Sequence, residues 1–253
     1  MEEIQIHDTL NPKLWEKWQE KRIGGKISYH LKEEVANKLN EIAHAFIEQL
    51  EIPNDAVKDI LLLGSSASYN YTSYSDIDLH ISVDYDKVHK DCPVVQGYLF
   101  AQKSLFNKEH DITIYGIPVE VYAESTKDKT QSNGIYSLRN KRWIEEPKKI
   151  KPDEENDTAV KAKYNELQKA ILDTNAQDEA QSILDKVYKM RKAGLEKGGE
   201  FSVENIVFKK LRNNNLLQKL KDQIKISFDK ELSLKESLSS YMVMNAVLGY
   251  LTE

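Results

Sequence analysis

The fold of this chain is decided by residues 60–83, which read ILLLGSSASYNYTSYSDIDLHISV. The segment opens with four apolar residues that stop at Gly64, which is typical of a short strand buried on both faces. After a polar loop, polar and apolar side chains alternate strictly from Asp76 to Val83, which is typical of a strand with one buried face. The segment therefore predicts a strand, a loop and a second strand, all belonging to one small sheet.

The flanking residues predict helices and a hairpin around these strands. Asn11-Pro12 indicates a helix start, with a capping side chain and a proline at the first helical position. Apolar residues then recur at helical spacing in two longer segments, and a tight turn at residues 115–118 separates two further strands. The predicted elements are a short helix over residues 11–18, helices over 29–50 and 93–107, and a hairpin over 111–124. This order indicates an α+β unit, a small mixed β-sheet with flanking helices.

The second half is predicted to be helical. A stretch with several lysines and prolines, residues 139–152, indicates a linker or hinge. Helical periodicity then covers residues 158–172, 177–195, 203–213, 216–225 and 234–251. Two glycines interrupt it in the segment 198–205, for which a functional or domain-packing role is expected. The chain is therefore predicted to have an α+β domain over residues 1–145 and an all-helical C-terminal domain over 146–253.

Composition excludes several classes of protein. With 253 residues, 40% of them hydrophobic and 30% charged, the chain is expected to be an ordinary soluble globular protein. It has no apolar stretch of membrane-spanning length and no signal-peptide pattern. Its single cysteine, Cys92, cannot form an internal disulfide or a cysteine-based zinc site, so a reducing cytoplasm is the expected compartment. The net charge of −5 argues against a protein that binds nucleic acid with its whole surface.

Three acidic residues are the predicted metal ligands and catalytic residues. Asp76 and Asp78 lie two positions apart on the second strand, so their side chains point to the same face. Neighbouring carboxylates repel each other unless one is protonated or a cation lies between them. Mg²⁺ prefers such oxygen ligands, and a pair of these ions serves in-line phosphoryl transfer. Glu120 stands between two valines on a later strand that could lie beside this pair.

The turn Gly64-Ser65-Ser66 is the predicted phosphate-binding segment. It follows directly on an apolar strand, where a glycine lets the backbone turn sharply and bring amide groups close to anionic oxygens. Ser65 and Ser66 could add side-chain hydrogen bonds, although Ser66 could equally be a plain turn serine. In the glycine-free loop that follows, Asn70 could supply a left-handed conformation.

The whole pattern resembles the DNA polymerase β-like nucleotidyltransferase superfamily. The matching residues are Leu63-Gly64-Ser65, then after ten residues Asp76-Ile77-Asp78-Leu79, and later Val119-Glu120-Val121, within about residues 30–125. The resemblance implies that Asp76 and Asp78 bind Mg²⁺ and that Glu120 is a metal ligand or base. It implies that Gly64 and Ser65 hold the phosphates of a nucleoside triphosphate. It also implies that a nucleoside monophosphate passes to an acceptor hydroxyl with release of pyrophosphate, while the helical domain closes the nucleotide cleft.

Several side chains near this site have two interpretations. Glu124 competes with Glu120 as the third carboxylate, and His80 is expected to fill space beside the site. Basic residues at positions 190–192 and 208–212 could neutralise a triphosphate across a cleft. Solvated helix faces are the more common outcome for such residues, and this is the interpretation that the sequence favours.

The sequence indicates the acceptor only weakly. Basic residues in the predicted linker could guide an RNA 3′ end, which ranks a polynucleotide slightly ahead of a small molecule or a protein side chain. They are Arg139, Lys141, Arg142, Lys148, Lys149 and Lys151. The alternative classes are a non-catalytic nucleotide-binding or scaffold protein, disfavoured by the retained acid pair, and a metal-dependent nuclease, disfavoured by the Gly-Ser turn. The sequence does not indicate an oligomeric state.

Overall fold

A computed structural model describes residues 7–19, 27–128, 130, 132–149 and 154–234. Its strands are β1 (Trp15–Gln19), β2 (Ile27–Leu31), β3 (Val57–Leu63), β4 (Ile77–Val83), β5 (Thr113–Ile114), β6 (Ile117–Ser125), β7 (Ile135–Ser137) and β8 (Arg142–Glu145). Its helices are α1 (Glu33–Leu50), α2 (Tyr85–Val88), α3 (Cys92–Glu109), α4 (Glu154–Asp173), α5 (Gln177–Gly198), α6 (Val203–Asn213) and α7 (Leu216–Leu232).

Six of the strands form one mixed sheet. The strand order is β5-β6-β4-β3-β7-β8. Strands β4 and β6 are parallel, and every other neighbouring pair in this sheet is antiparallel. The two strands predicted from residues 60–83 are thus direct neighbours, β3 and β4. The predicted α+β class, with flanking helices and a helical C-terminal part, is confirmed.

The alternation in β4 determines which face of the sheet is buried. Its apolar residues are fully buried, namely Ile77, Leu79, Ile81 and Val83. Helices α1 and α3 cover this face, and the rings of Phe46 and Phe106 meet there edge to face, 5.2 Å apart. Burying each such side chain contributes about 1.5–3 kcal/mol relative to leaving it exposed. The opposite face of β4 consequently presents Asp78, His80 and Ser82.

The N-terminal segment differs from the prediction. The predicted helix at residues 11–18 is instead one turn, closed by hydrogen bonds from the amides of Leu14 and Trp15 to the carbonyl of Asn11. From Trp15 onward the chain pairs with β2 in antiparallel register. The helix predicted at residues 29–50 accordingly begins only after β2. Strands of five residues are too short for periodicity to distinguish them from helix.

The predicted linker at residues 139–152 is wrong in its first part, which belongs to the sheet. Residues 142–145 form β8, which pairs with β7 at the sheet edge. The ring of Trp143 stacks on that of Trp15 with centroids 4.6 Å apart, within the core of the sheet. Residues 150–153 lie outside the described residues.

The predicted helices of the second half correspond to α4, α5, α6 and α7, and α7 extends beyond its predicted end. These helices enclose a second hydrophobic cluster, separate from that of the sheet, whose fully buried members include Ile171, Val187, Val207, Leu211 and Leu220. The helix predicted over residues 234–251 lies outside the described residues, apart from Leu234. In the described part of the chain, no helix is long and apolar enough to cross a membrane.

Candidate active site

The strand register brings the three predicted carboxylates to one end of the sheet. Asp78 is paired with Glu120 across the parallel strands β4 and β6. Asp76 lies just before β4, two residues from Asp78. Asp78 is also paired with Leu63 on β3, so the following residue, Gly64, begins its turn at the same end. The sheet therefore places the predicted phosphate turn beside the acids.

Gly64 occupies a position that only a glycine can fill. Its φ of 72° lies in the region that L-residues rarely adopt. A Cβ at this position would lie 1.9 Å from Oδ2 of Asp78. The backbone amide donates a hydrogen bond of 3.1 Å to the Ser132 hydroxyl. Both the backbone conformation and the close approach of the Asp78 carboxylate therefore require the absence of a side chain.

The two serines after this glycine have different environments. The Ser65 hydroxyl donates to the Ser75 hydroxyl at 2.9 Å and is only partly buried. Ser66 is fully buried, and its hydroxyl donates to the carbonyl of Asp76 at 2.5 Å. Its own carbonyl accepts a hydrogen bond of 2.8 Å from the Trp15 indole. Ser66 thus has the contacts of a turn serine, the alternative that the sequence left open, whereas Ser65 borders the cleft.

Asp78 is strongly perturbed by its surroundings. Burial raises the pKa of Asp78 to about 7, and the negative charges of Asp76 and Glu120 add to this rise. Arg212 and His80 act in the opposite direction. With a pKa of about 7, this carboxyl is protonated in about half of the molecules at neutral pH, and a nearby cation would favour its ionised form.

The donor types at this site fit a divalent cation. Asp76, Asp78 and Glu120 offer the hard carboxylate oxygens that Mg²⁺ prefers, and a cation would relieve their mutual repulsion. Among the described residues, no three or more His, Cys, Asp or Glu side chains are grouped so that they could hold a metal ion. Mg²⁺ binding by these acids therefore stays a prediction.

Glu120 and Glu124, the two candidates for the third carboxylate, lie at different levels of β6. Glu120 is opposite Asp78, whereas Glu124 is opposite Ser82, farther from the turn. Oε2 of Glu124 lies 3.1 Å from Nδ1 of His80. The geometry favours Glu120 as the neighbour of the acid pair. It also gives His80 a partner away from that pair.

Glu120 has a close partner in Tyr122. The Tyr122 hydroxyl donates to Oε2 of Glu120 at 2.6 Å. Burial, together with this hydrogen bond and the charge of Glu120, raises the pKa of the Tyr122 phenol. The phenol therefore remains a protonated donor at neutral pH. No sequence pattern singled out this tyrosine, because a Glu-x-Tyr spacing on a strand is common on any polar sheet face.

Basic residues of the helical half line the other side of the cleft. Nη1 of Arg212 lies 4.0 Å from Oδ2 of Asp76. Burial lowers the pKa of Lys209, and the charge of Glu200 partly offsets this effect. Burial lowers the pKa of Arg191 on α5, and the charge of the nearby Arg212 lowers it further. Lys209 is partly buried, whereas Arg212 is exposed although it lies near Asp76. The solvated helix face favoured by the sequence is thus wrong for Lys209 but not for Arg212.

A narrow pocket of about 50 Å³ lies between the Gly-Ser loop and α6. Its walls include Ser65, Thr72 and Ser75 from the loop, and Lys209, Lys210 and Arg212 from the helix. Oδ1 of Asn70 and Oε2 of Glu200 are buried near it without a hydrogen-bond partner among the described residues. The left-handed conformation predicted for Asn70 is wrong. Hydroxyls facing cations across a pocket suit an anionic ligand.

The segment after α5 that the sequence singled out joins the helical half to the sheet. Oε1 of Glu200 accepts a hydrogen bond of 3.2 Å from the Asn133 amide. The Asn133 side chain donates to the Ser68 hydroxyl at 2.8 Å, next to the Gly-Ser turn. The Ser202 hydroxyl caps α6 by accepting from the Asn205 amide at 3.3 Å. The segment therefore fixes the start of the helix that carries Lys209 and Arg212.

The basic cluster of the predicted linker is divided by the sheet. Arg139 donates to backbone carbonyls at the start of β3, away from the Gly-Ser turn. Arg142 is opposite Ser137, in the part of β7 farther from the turn. Lys148 lies at the turn end, where its backbone is hydrogen-bonded to the Asn133 side chain. Lys151 lies outside the described residues. The described members therefore do not form one continuous path.

Comparisons with known proteins give two distant structural similarities. No family model and no curated protein match the chain. The chain is similar to a STING-associated CdnE c-di-GMP synthase from Capnocytophaga granulosa, with 14% identity, coverage of 78% of this chain and 82% of that chain, and a TM-score of 0.25. It is also similar to the CdnE cyclic dinucleotide synthase of Elizabethkingia meningoseptica solved with GTP and Apcpp, with 17% identity, 79% and 85% coverage, and a TM-score of 0.24. TM-scores this low assign neither a family nor an activity to the chain.

Proposed function

We propose that this protein is a Mg²⁺-dependent nucleotidyltransferase, which transfers a nucleoside monophosphate from a nucleoside triphosphate to an acceptor hydroxyl and releases pyrophosphate. The observation that carries the proposal is the β4–β6 register, which sets Glu120 beside Asp78 at the end of the sheet where Gly64 turns. Lys209 and Arg212 face this end from α6. Acids for a cation, a turn for phosphates and basic residues for a triphosphate are what this reaction needs in one cleft.

Each residue of the site has a distinct role in this proposal. Asp76, Asp78 and Glu120 would hold Mg²⁺. When bound, Mg²⁺ would neutralise phosphate charge and favour ionisation of the acceptor hydroxyl. The turn that begins at Gly64 would hold the β- and γ-phosphates, and Ser65 would offer them a hydroxyl. In the alternative role, Glu120 would instead accept the proton of the acceptor directly.

The basic residues of α6 complete the donor site. Lys209 and Arg212 would donate charge-assisted hydrogen bonds to the triphosphate. Lys209 is partly buried and burial lowers its pKa, so a bound anion would favour its charged form.

We also infer that residues 1–145 and 146–253 are separate domains and that the second closes the nucleotide cleft. The two unconnected hydrophobic clusters support this division. An RNA 3′ end is the proposed acceptor, supported by the position of Lys148 near the turn. A small molecule or a protein side chain is the alternative, since Arg139 is engaged elsewhere.

The proposal is tested by incubating the protein with each α-labelled nucleoside triphosphate, Mg²⁺ and separate pools of RNA, small metabolites and protein. We expect the amount of pyrophosphate released to equal the amount of label incorporated into one of these pools. Asp76→Asn and Asp78→Asn should each lower the rate about 100-fold or more. Asp84→Asn is the matched control, because Asp84 follows the other end of β4, near Lys58 at 3.8 Å, and should leave the rate unchanged.

Three outcomes would each contradict a part of this proposal. Near-normal turnover in Asp76→Asn or Asp78→Asn would remove the metal role of these acids. Thermal stabilisation by nucleotide and Mg²⁺ without pyrophosphate release would indicate a nucleotide-binding protein. Cleavage of the RNA pool without incorporation of label would indicate a nuclease.

A further inference from the structure

Tyr122 is the nearest polar partner of Glu120 on the polar face of the sheet. The two residues lie on the same side of β6, and the hydroxyl–carboxylate distance is 2.6 Å. Hydrogen bonds from a hydroxyl to a carboxylate at this distance are charge-assisted and stronger than neutral ones. One oxygen of Glu120 is therefore fixed by a side chain that takes no part in the proposed chemistry.

Other contacts hold the ring of Tyr122 independently of Glu120. The ring stacks on His80, with centroids 4.8 Å apart and planes at 27°. The Lys103 ammonium lies 4.0 Å from the ring centroid. Both the stacking and the cation–π contact favour one ring position. Packing thus sets the location of the hydroxyl, and the hydroxyl in turn restrains Glu120.

We propose that Tyr122 is the positioning residue for Glu120, fixing one carboxylate oxygen so that the other is presented to the cation and the acceptor proton. This inference rests on the proposed function, since a solvated glutamate would need no such restraint. A glutamate side chain otherwise loses rotamer freedom when it binds a metal, and a prior restraint reduces that loss. Residues that orient metal ligands typically contribute 10- to 100-fold to metal affinity or activity.

The test measures Mn²⁺ affinity of the full chain by electron paramagnetic resonance, without nucleotide. Tyr122→Phe removes one oxygen and keeps the ring, so we expect the Kd for Mn²⁺ to rise about tenfold or more. Tyr98→Phe is the matched control, because its hydroxyl also makes one hydrogen bond, to the carbonyl of Leu50 at 2.7 Å, outside the site. The control should bind Mn²⁺ as the wild type does. Circular dichroism and thermal unfolding establish that both variants are folded.

A double-mutant cycle with Glu120→Gln shows whether Tyr122 acts through Glu120. Once the carboxylate is replaced, Tyr122→Phe should change the Kd by less than about twofold, because coupled residues are non-additive. If Tyr122→Phe raises the Kd for Mn²⁺ as much in the Glu120→Gln variant as in the wild type, the inference is overturned. Unchanged affinity in Glu120→Gln itself would also overturn it, whether or not Tyr122→Phe folds.

The failure of this inference is distinguishable from failure of the proposed function. If the wild type binds Mn²⁺ and Tyr122→Phe binds it equally well, the positioning role is wrong and the proposed function stands. If Tyr98→Phe loses as much affinity as Tyr122→Phe, the effect is general and the positioning role is again wrong. If the wild type binds no Mn²⁺ without nucleotide, the positioning role is wrong, and the proposed function is decided by pyrophosphate release.

Discussion

Gly64 and Asp78 meet at the closest approach between the phosphate turn and the acids. The glycine is needed both for its positive φ and for the space that the carboxylate occupies. The effect of the positive φ and that of the close approach can be measured separately. Gly116 has a positive φ but open space around it, and Gly97 has neither feature.

A residue with a Cβ loses roughly 1–2 kcal/mol when its backbone is left-handed. Gly64→Ala should destabilise the protein by more than this amount, because the new Cβ would also clash with Asp78. Gly116→Ala carries the backbone cost alone, since its φ is 79° and no atom lies within 4 Å of its added Cβ. Gly97→Ala, in α3 with open space around it, should be neutral or slightly stabilising. Urea denaturation compares the three free energies of unfolding. Equal losses in Gly64→Ala and Gly116→Ala would contradict the close approach to Asp78.

The raised pKa of Asp78 predicts a specific pH dependence in the presence of a chelator. Between its ordinary value of 3.8 and about 7, the folded protein keeps a proton that the unfolded chain releases. This contribution to stability is present below that range and is lost as the pH rises through it. The difference in unfolding free energy between wild type and Asp78→Asn should therefore decline from about pH 4 to about 7 and level off above. A difference that is independent of pH would contradict the perturbed carboxyl.

At the scale of elements, the outer edge of β6 is paired with a side chain from helix α3. Beyond its short pairing with β5, the outer edge of β6 is contacted by Asn107 at the end of α3. The amide of Val121 donates to Oδ1 of Asn107, and Nδ2 of Asn107 donates to the carbonyl of Val121, both at 3.0 Å. The side chain thus acts as a strand partner and covers an otherwise open edge.

Asn107→Ala should lower the free energy of unfolding by about 1–3 kcal/mol, because it leaves a buried donor and acceptor of Val121 unpaired. Asn214→Ala is the control, since its side chain makes one exposed hydrogen bond to the carbonyl of Lys210. The control should change stability by at most about 0.5 kcal/mol. Chemical denaturation measures both. If both variants lose little stability, and by the same amount, water must form the hydrogen bonds of the Val121 amide and carbonyl when Asn107 is removed.

The elements predictable from sequence are those with a long repeated pattern. The strict alternation in β4 and the apolar run of β3 place Gly64, Asp76 and Asp78 correctly, and α1 and α3 follow from their periodicity. β7 has only three residues, and its pairing with β3 depends on distant partners, so no local pattern reveals it. The orientation of α6 towards the acids was equally hidden. Helical spacing shows that Lys209 and Arg212 share a face but not what that face meets.

For the whole molecule, the arrangement of charges across the cleft predicts that the two halves have different roles in the proposed reaction. Arg212 comes from the helical half and Asp76 from the sheet, with their charged atoms 4.0 Å apart. In the proposed function, the sheet activates the acceptor while α6 holds the donor. Changes on α6 should therefore weaken nucleotide binding more than they slow the chemical step.

Arg212→Gln should raise the KM for the nucleoside triphosphate about tenfold or more, because it removes charge-assisted hydrogen bonds to phosphate. Arg142→Gln makes the same substitution on an exposed residue of β8 away from the turn, and should leave the KM unchanged. Steady-state kinetics at several nucleotide concentrations separates KM from kcat. An equal change in both variants, or a loss confined to kcat, would contradict a donor-binding role for Arg212.

The size of the pocket beside Arg212 has a consequence for the rate of binding. At about 50 Å³ it is much smaller than the several hundred Å³ that bound small molecules typically occupy. In the proposed function, the triphosphate would fill this pocket only if α6 and the Gly-Ser loop separate. If opening precedes binding, the observed association rate should reach a plateau at high nucleotide concentration, set by how often the protein opens. Variants that loosen the Asn133–Glu200 contact should then bind faster without any new contact to the ligand.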